Sequence, residues 1–223
     1  MNKETGELLV RGARELGIEL TPAMVKSFGL FCDELLLWNR KINLTAIRNE
    51  AEIAIKHFVD SLTILPYLAG RSAMLDLGSG GGFPVIPLKI VCPDIEAVSV
   101  DAVEKKILFQ RQAARTAGIE RFTALHERGE RLAASYAGRF DLIVSRAFAE
   151  IPLFVEMALP LLAPDGIIVA MKGKSGREET EAARPYLEEC GLVVSGMSEF
   201  SLPVAGDARS LVVMMRGGAP NGQ

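Results

Sequence analysis

The segment 75–84, LDLGSGGGFP, constrains this chain more than any other ten residues. The apolar residues Ala73, Met74 and Leu75 lead into it, and a second apolar run with helical potential, 85–91, follows it. A strand that enters a glycine-dense turn and then a helix brings backbone N–H groups close to a ligand. Glycine has no Cβ to obstruct that approach and accepts positive φ readily. The spacing differs from the dinucleotide fingerprint G-x-G-x-x-G, because Phe83 and Pro84 follow Gly82 and the third glycine is absent. What remains is D-x-G-x-G-x-G, with Asp76 two positions before Gly78. A plain tight turn can also be glycine-rich, so the flanking pattern has to decide.

Upstream, residues 1–20 read as a helix with Leu8, Leu9 and Leu16 as apolar positions and Gly17 as its stop. Thr21 and Pro22 have the form of an N-cap and first helical position. Phe28, Phe31, Leu35 and Trp38 then recur at helical spacing, which assigns these aromatics to a core. A polar loop over 38–47 lies between apolar anchors, and Asn49 with Glu52 has capping-box spacing. In the helix that follows, Ile55, Phe58, Val59, Leu62 and Leu65 make an apolar stripe, while His57, Asp60 and Ser61 share a different face. That face is either an exposed stripe holding a weak His57–Asp60 pair, under ~1 kcal/mol, or the wall of a cleft.

Downstream, strands are expected to end at 98–101 and to occupy 122–125, 140–145, 166–172, 192–197 and 210–216. Helices are expected at 102–117, closed by Gly118, and at 151–162 and 178–190. Short strands with helical spacers predict an α/β fold, a doubly wound and mostly parallel sheet of seven strands counting the one before the glycines. The expected organisation is a helical extension over 1–70, joined at 68–72 to an α/β domain over 71–217, with a flexible tail over 218–223.

Of the 223 residues, 49% are hydrophobic, which suits a globular core. Three scattered cysteines and two histidines indicate neither a zinc site nor a disulfide framework, so no metal is expected. No run reaches the ~18 apolar residues of a membrane span, and the N-terminus does not resemble a signal peptide. The expectation is a soluble, cytoplasmic protein. A net charge of −3 argues against a polyanionic partner, but nine Lys and Arg residues fall between Lys105 and Arg146.

Asp101 lies 19 residues after Gly82, where a strand-end carboxylate can accept hydrogen bonds from both ribose hydroxyls of a nucleoside cofactor. D-x-G-x-G-x-G followed by such an acid resembles the S-adenosylmethionine-dependent methyltransferases of the Rossmann-like type, with Gly78, Gly80 and Gly82 lining the cofactor. Nicotinamide-dependent oxidoreductases share the acid at this distance. Gly129 and Glu130 then stand in a loop beside the adenine end, although a charged surface turn would read the same. The loop after the fourth strand, Ser145-Arg146-Ala147-Phe148, is neither N-P-P-Y nor D-P-P-Y, and it holds no Pro-Cys nucleophile. A heteroatom with a free lone pair, such as guanine N7, needs no covalent activation and no strong base, only alignment for in-line displacement.

Five motifs then occur in order: N-R-K-I-N-L-T-A-I at 39–47, H-F-V-D-S-L at 57–62, L-D-L-G-S-G-G-G-F-P at 75–84, S-R-A-F at 145–148 and M-K-G-K at 171–174. Together they resemble the family of ribosomal small-subunit methyltransferase G, also called glucose-inhibited division protein B, over nearly the whole chain. The resemblance implies a class I methyltransferase fold and S-adenosylmethionine-dependent N7-methylation of a guanine in bacterial 16S ribosomal RNA. It implies Gly78, Phe83, Gly129, Glu130 and Arg146 as cofactor contacts. Gly81 departs from the family's usual residue and is expected to loosen the turn slightly. Arg146, His57 and Asp60 are the catalytic candidates. Asn43, Ser61, Lys172 and Arg209 are candidates for the RNA side, the two cations for phosphate, and Phe148 for stacking on a displaced base. The expected partner is 16S ribosomal RNA or the small subunit, bound by a monomer. The alternative is a non-enzymatic RNA-binding assembly factor on the same scaffold.

Overall fold

The computed structural model describes residues 1–146 and 149–217, apart from the side chain of Glu130. Among them a seven-stranded sheet runs in the order β3-β2-β1-β4-β5-β7-β6. Its strands are β1 (Ala73–Leu77), β2 (Glu96–Asp101), β3 (Phe122–His126), β4 (Phe140–Arg146), β5 (Leu162–Lys172), β6 (Leu192–Ser201) and β7 (Ala208–Arg216). All neighbours pair in parallel except β7, which is antiparallel to both β5 and β6. The sheet order reverses between β1 and β4, so the ends of these two strands open a crevice, the usual ligand position in such sheets.

Strand alternation sorts the core into two layers. Met74, Leu142, Val144, Val169 and Val213 face one side, where α1 (Lys3–Glu15), α2 (Pro22–Asn39), α5 (Val85–Val91) and α6 (Glu104–Ala117) pack. Leu75, Leu77, Ile143, Ile168 and Val212 face the other, under α7 (Ile151–Ala158) and α8 (Gly176–Glu189). The N-terminal helices thus share one core with the sheet. Phe28 and Phe31 of α2 are fully buried, and the Phe31 ring packs at a tilt against Phe83 of the glycine turn, centroids 5.3 Å apart.

Several expectations are corrected in detail. The first helix ends at Glu15, with Gly17 at φ +76° where a helix exit favours glycine. The helix after β4 stops at Ala158, and the following strand starts at Leu162 rather than 166. Gly166 lies inside that strand, where a β-carbon would come within 2.9 Å of the Phe140 carbonyl oxygen. The capping box is half made: Asn49 Oδ1 accepts from the N–H of Ala51 and Glu52, while the Glu52 carboxylate pairs with Lys56 at 3.3 Å.

The largest difference is the helix that follows. Only α3 (Glu50–Ile53) and α4 (Asp60–Leu62) are α-helical, and Ala54–Val59 between them forms a π-helix. Its wider turn abolishes the clean separation drawn at 3.6 residues per turn. His57, Asp60 and Ser61 are buried together with Ile55, Phe58 and Val59.

Lys89 of α5 is 1% exposed, and its ammonium donates to the carbonyls of Pro93 and Ile95 at 2.5 and 2.6 Å. Burial lowers its pKa. Lys89→Met keeps the stem but leaves both carbonyls unpaired, so a loss of roughly 1–3 kcal/mol is expected. Urea unfolding measures it, and a variant as stable as the parent would show the contacts to be inert.

Candidate active site

The glycine turn is built by a β1 strand that ends against β2. Gly78, Gly80 and Gly82 have φ of +69°, +57° and +78°, a region that strongly favours glycine. Gly81 is not a positive-φ position, and a β-carbon there would stand 3.1 Å from the Phe83 ring.

The N–H groups of Gly78 and Ser79 donate to Val100 O, those of Gly82 and Phe83 to Ser79 O, and that of Gly80 to Asp101 Oδ2. Five donors that an anion would need are therefore engaged within the protein. Asp76 Oδ2 also accepts from the N–H of Val85, at the start of α5, and places an acidic group where a pyrophosphate would bind a helix N-terminus. Asp76 Oδ1 is the one buried side-chain polar atom without a partner among the described residues. Burial raises the Asp76 pKa well above the ordinary carboxylate range. A carboxyl kept neutral in this way offers no full charge to a ligand, and Asp76 stands behind both cavities at this turn rather than in their linings.

Two cavities meet at Gly78. One, about 590 Å³, is lined by Asp101, Val103, Lys106, Gly129 and Met157 among others. Asp101 Oδ1 accepts from the N–H of Val103, and Lys106 lies 3.4 Å from Oδ2. A carboxylate has about four acceptor positions; with the Gly80 N–H also on Oδ2, one position on Oδ1 remains for a sugar hydroxyl. Gly129 lies close under Met157: a β-carbon would stand 2.9 Å from its Sδ, so that side chain would have to shift.

The second cavity, about 410 Å³, is lined by Thr45, His57, Asp60, Phe83, Arg146, Lys172 and Arg209 among others. Arg146, at the end of β4, donates from Nη1 to Asp60 Oδ2 at 3.1 Å and to Lys56 O at 3.2 Å. Its Nη2 lies 3.1 Å from His57 Nδ1. Arg209 Nε donates to the other Asp60 oxygen at 2.8 Å. The Phe83 ring stacks on His57 at 4.5 Å, and the Arg146 guanidinium lies 4.9 Å from the ring centroid.

Burial first, then the Arg146 charge, pushes the His57 pKa down to about 3. The imidazole is therefore neutral. Nδ1 lies 3.1 Å from both Arg146 Nη2 and Lys56 O; since a guanidinium can only donate, Nδ1 accepts from it and the proton is assigned to Nε2, 2.7 Å from Thr45 Oγ1. The His57–Asp60 pair considered from the sequence is replaced by Asp60 between two arginines. Because the unfolded histidine titrates near 6.5 and the folded one near 3, the unfolded chain binds more protons across that interval. This group's stability contribution is complete above pH ~6.5 and is lost as pH falls toward ~3. His57→Gln should flatten the acid limb of stability, read as urea midpoints from pH 7 to 4. An unchanged slope would place the titration elsewhere.

A profile of the GidB family, described as rRNA small subunit methyltransferase G, matches residues 24–211. The chain belongs to this family. It is 60% identical over 216 residues to the ribosomal RNA small subunit methyltransferase G of Geobacter metallireducens, covering 97% of this chain and 98% of that one. The protein of the same name from Deinococcus radiodurans is 42% identical over 93% of this chain and 83% of its own. In fold, the chain resembles the ribosomal protein L11 methylase of Lactobacillus delbrueckii subsp. bulgaricus. The TM-score is 0.56 at 18% identity, over 73% of this chain and 79% of that one. The Rossmann-like class I methyltransferase fold and the rRNA methyltransferase activity read from the sequence are thereby established.

Within this GidB-family cleft the other expected residues fall differently. Ser61 is fully buried, and its hydroxyl donates back to His57 O at 2.6 Å, away from the cavity wall. Asn43 is exposed and outside both linings. Lys172 and Arg209 line the cavity but are already paired, with Glu179 at 2.7 Å and with Asp60. Phe148 lies outside the described residues, as do the side chain of Glu130 and the expected tail. The basic residues between 105 and 146 disperse onto local partners, Arg111 onto Ala124 O and Arg139 onto Glu96.

Two residues of the site escaped sequence reasoning. Asn39 accepts from the N–H of Leu44 and Thr45 and donates to Thr45 O, folding the 40–47 loop so that Thr45 meets His57. Both lie in the 39–47 motif, but the signal there did not separate them from Asn43.

Proposed function

We propose that the joined cavities bind S-adenosylmethionine and that the chain methylates N7 of a guanine in 16S ribosomal RNA. The turn, with five of its N–H groups already engaged inside the protein, suits a cofactor without a phosphate better than a phosphate-bearing one. Gly78, Gly80, Phe83, Asp101 and Gly129 would hold the group, with Arg146 at its reactive end. Bound there, the cofactor supplies an electrophilic methyl on a sulfonium. Phe83, against whose ring His57 and Arg146 pack while touching each other, gives that end a fixed wall. Asp60 keeps Arg146 in place, and the 40–47 loop with Thr45 closes the rim through which the RNA base enters.

The observation that carries the choice of atom is the state of His57 and Asp60. These two groups at the mouth could take a proton, yet both nitrogens of one and both oxygens of the other are already hydrogen-bonded. Such a site suits methylation of a lone pair that needs no deprotonation, as at guanine N7, rather than an exocyclic amine. In this reading residues 1–70 form the RNA-facing rim and 71–217 the methyltransferase domain. The protein acts as a cytoplasmic monomer on the small subunit or its RNA. Radiolabelled methyl transfer to naked 16S RNA and to small subunits, followed by mass mapping of nucleotides, tests it. Label on an exocyclic amine or on a pyrimidine would overturn the reading.

A further inference from the structure

Under the glycine turn lies a polar cluster that no reacting atom needs to touch. Ser79 of the turn, Ser99 of β2 and Gln110 of α6 are 2%, 0% and 0% exposed. The two serine hydroxyl oxygens are 2.6 Å apart, Ser99 Oγ is 2.5 Å from Gln110 Oε1, and Gln110 Nε2 is 2.8 Å from Ser79 Oγ. Ser99 has one hydroxyl proton, and Gln110 Oε1 can only accept, so that proton goes to the amide. The contact between the serines then uses the Ser79 proton, in preference to Val100 O, which lies farther from the same hydroxyl at 3.3 Å. The result is a closed ring in which each hydroxyl both donates and accepts.

This ring fixes the amide orientation and leaves one Nε2 proton, which goes to Gly80 O at 2.9 Å. On its other side the Gly80 N–H donates to Asp101 Oδ2 at 3.0 Å. The positive-φ residue at the centre of the turn is therefore held at both its amide and its carbonyl. One of the two anchors is the same carboxylate that lines the nucleoside end of the cleft. A flipped or absent amide would leave the Gly80 carbonyl facing an acceptor or a void.

We infer that Gln110 is a positioning residue for cofactor binding, which locks the Gly80 turn and Asp101 into the ligand-ready shape before the cofactor arrives. The inference rests on the cleft taking S-adenosylmethionine. A site held ready in advance avoids the ordering penalty at the moment of binding. Losing the lock therefore weakens binding more than it alters the reacting end, where Arg146 is held by Asp60 and Lys56 O and the Phe83 ring by His57 and Phe31.

The test compares the wild type with Gln110→Met, which keeps the length of the side chain, and with Ser99→Ala, which removes a single ring hydroxyl. Calorimetric titration with S-adenosylmethionine, KM for cofactor and RNA, kcat and the ligand-free melting midpoint are measured for each. Gln110→Met should raise Kd and KM for S-adenosylmethionine by about tenfold, and leave kcat at saturating cofactor and KM for RNA unchanged. Ser99→Ala should give a smaller shift in the same direction. A folded Gln110→Met variant that binds the cofactor like wild type, or loses kcat and both KM values together, overturns the inference. If that variant fails to fold, Ser99→Ala decides by the same comparison. A wild-type protein that does not bind S-adenosylmethionine would instead refute the cofactor reading.

Discussion

Arg146→Ala is expected to reduce methyl transfer by about a hundredfold or more, the usual loss when one preorganised polar group at a reacting centre is deleted. The side chain is 17% exposed and ties three things together: the Asp60 carboxylate, the Lys56 carbonyl and the His57 ring. It also covers the Phe83 face that walls the cavity. Arg146→Lys should not restore activity, because one ammonium on a flexible stem cannot reproduce a planar fork serving several acceptors. Breaking a buried pair from one side destabilises by roughly 3–5 kcal/mol. Arg209 still faces Asp60 in the variant, so the lower half of that range is expected and the fold should persist. Methyl incorporation at saturating cofactor, measured on protein shown to be folded by circular dichroism, checks this. Activity at the parental level would remove Arg146 from the chemistry.

Asp60→Ala should have the larger effect on stability. Its two oxygens are the shared acceptor of Arg146 and Arg209, and the side chain is only 6% exposed. Without it two guanidinium groups face each other across the cavity, and the buried Arg146 has no counter-ion. The expected loss approaches the upper end of roughly 3–5 kcal/mol, little screened by salt because the pair is buried. A double-mutant cycle with Arg146→Ala should show coupling on the order of 1–3 kcal/mol. Urea denaturation of the four proteins at neutral pH gives that number. Additive losses would show that the two residues stabilise the cleft independently.

The elements that sequence made legible are those governed by local rules. Thr21 and Pro22 open α2, Gly118 closes α6 at φ +69°, and the glycine turn falls between β1 and α5. The π-helix was not legible, since the apolar positions around Phe58 fit an α-helical wheel and the extra residue per turn leaves no mark in composition. Partners distant in sequence were equally hidden. Arg209 reads as a cation for RNA phosphate until β7 carries it to Asp60, 149 residues away. Gln110 reads as an ordinary polar residue on α6, and only the placement of β2 beneath the turn gives it Ser99 as a partner. Even the glycine segment was half read: its location was clear, but its N–H groups point into the protein instead of toward a ligand.

The position of β7 between β5 and β6 sets an order on maturation. Asp60 emerges from the ribosome 149 residues before its second arginine, so a nascent chain holds an acidic group without its full complement of neutralising charge. The Asp60 hub thus comes into being only once β7 has been made, and products cut before that strand would carry a misassembled mouth.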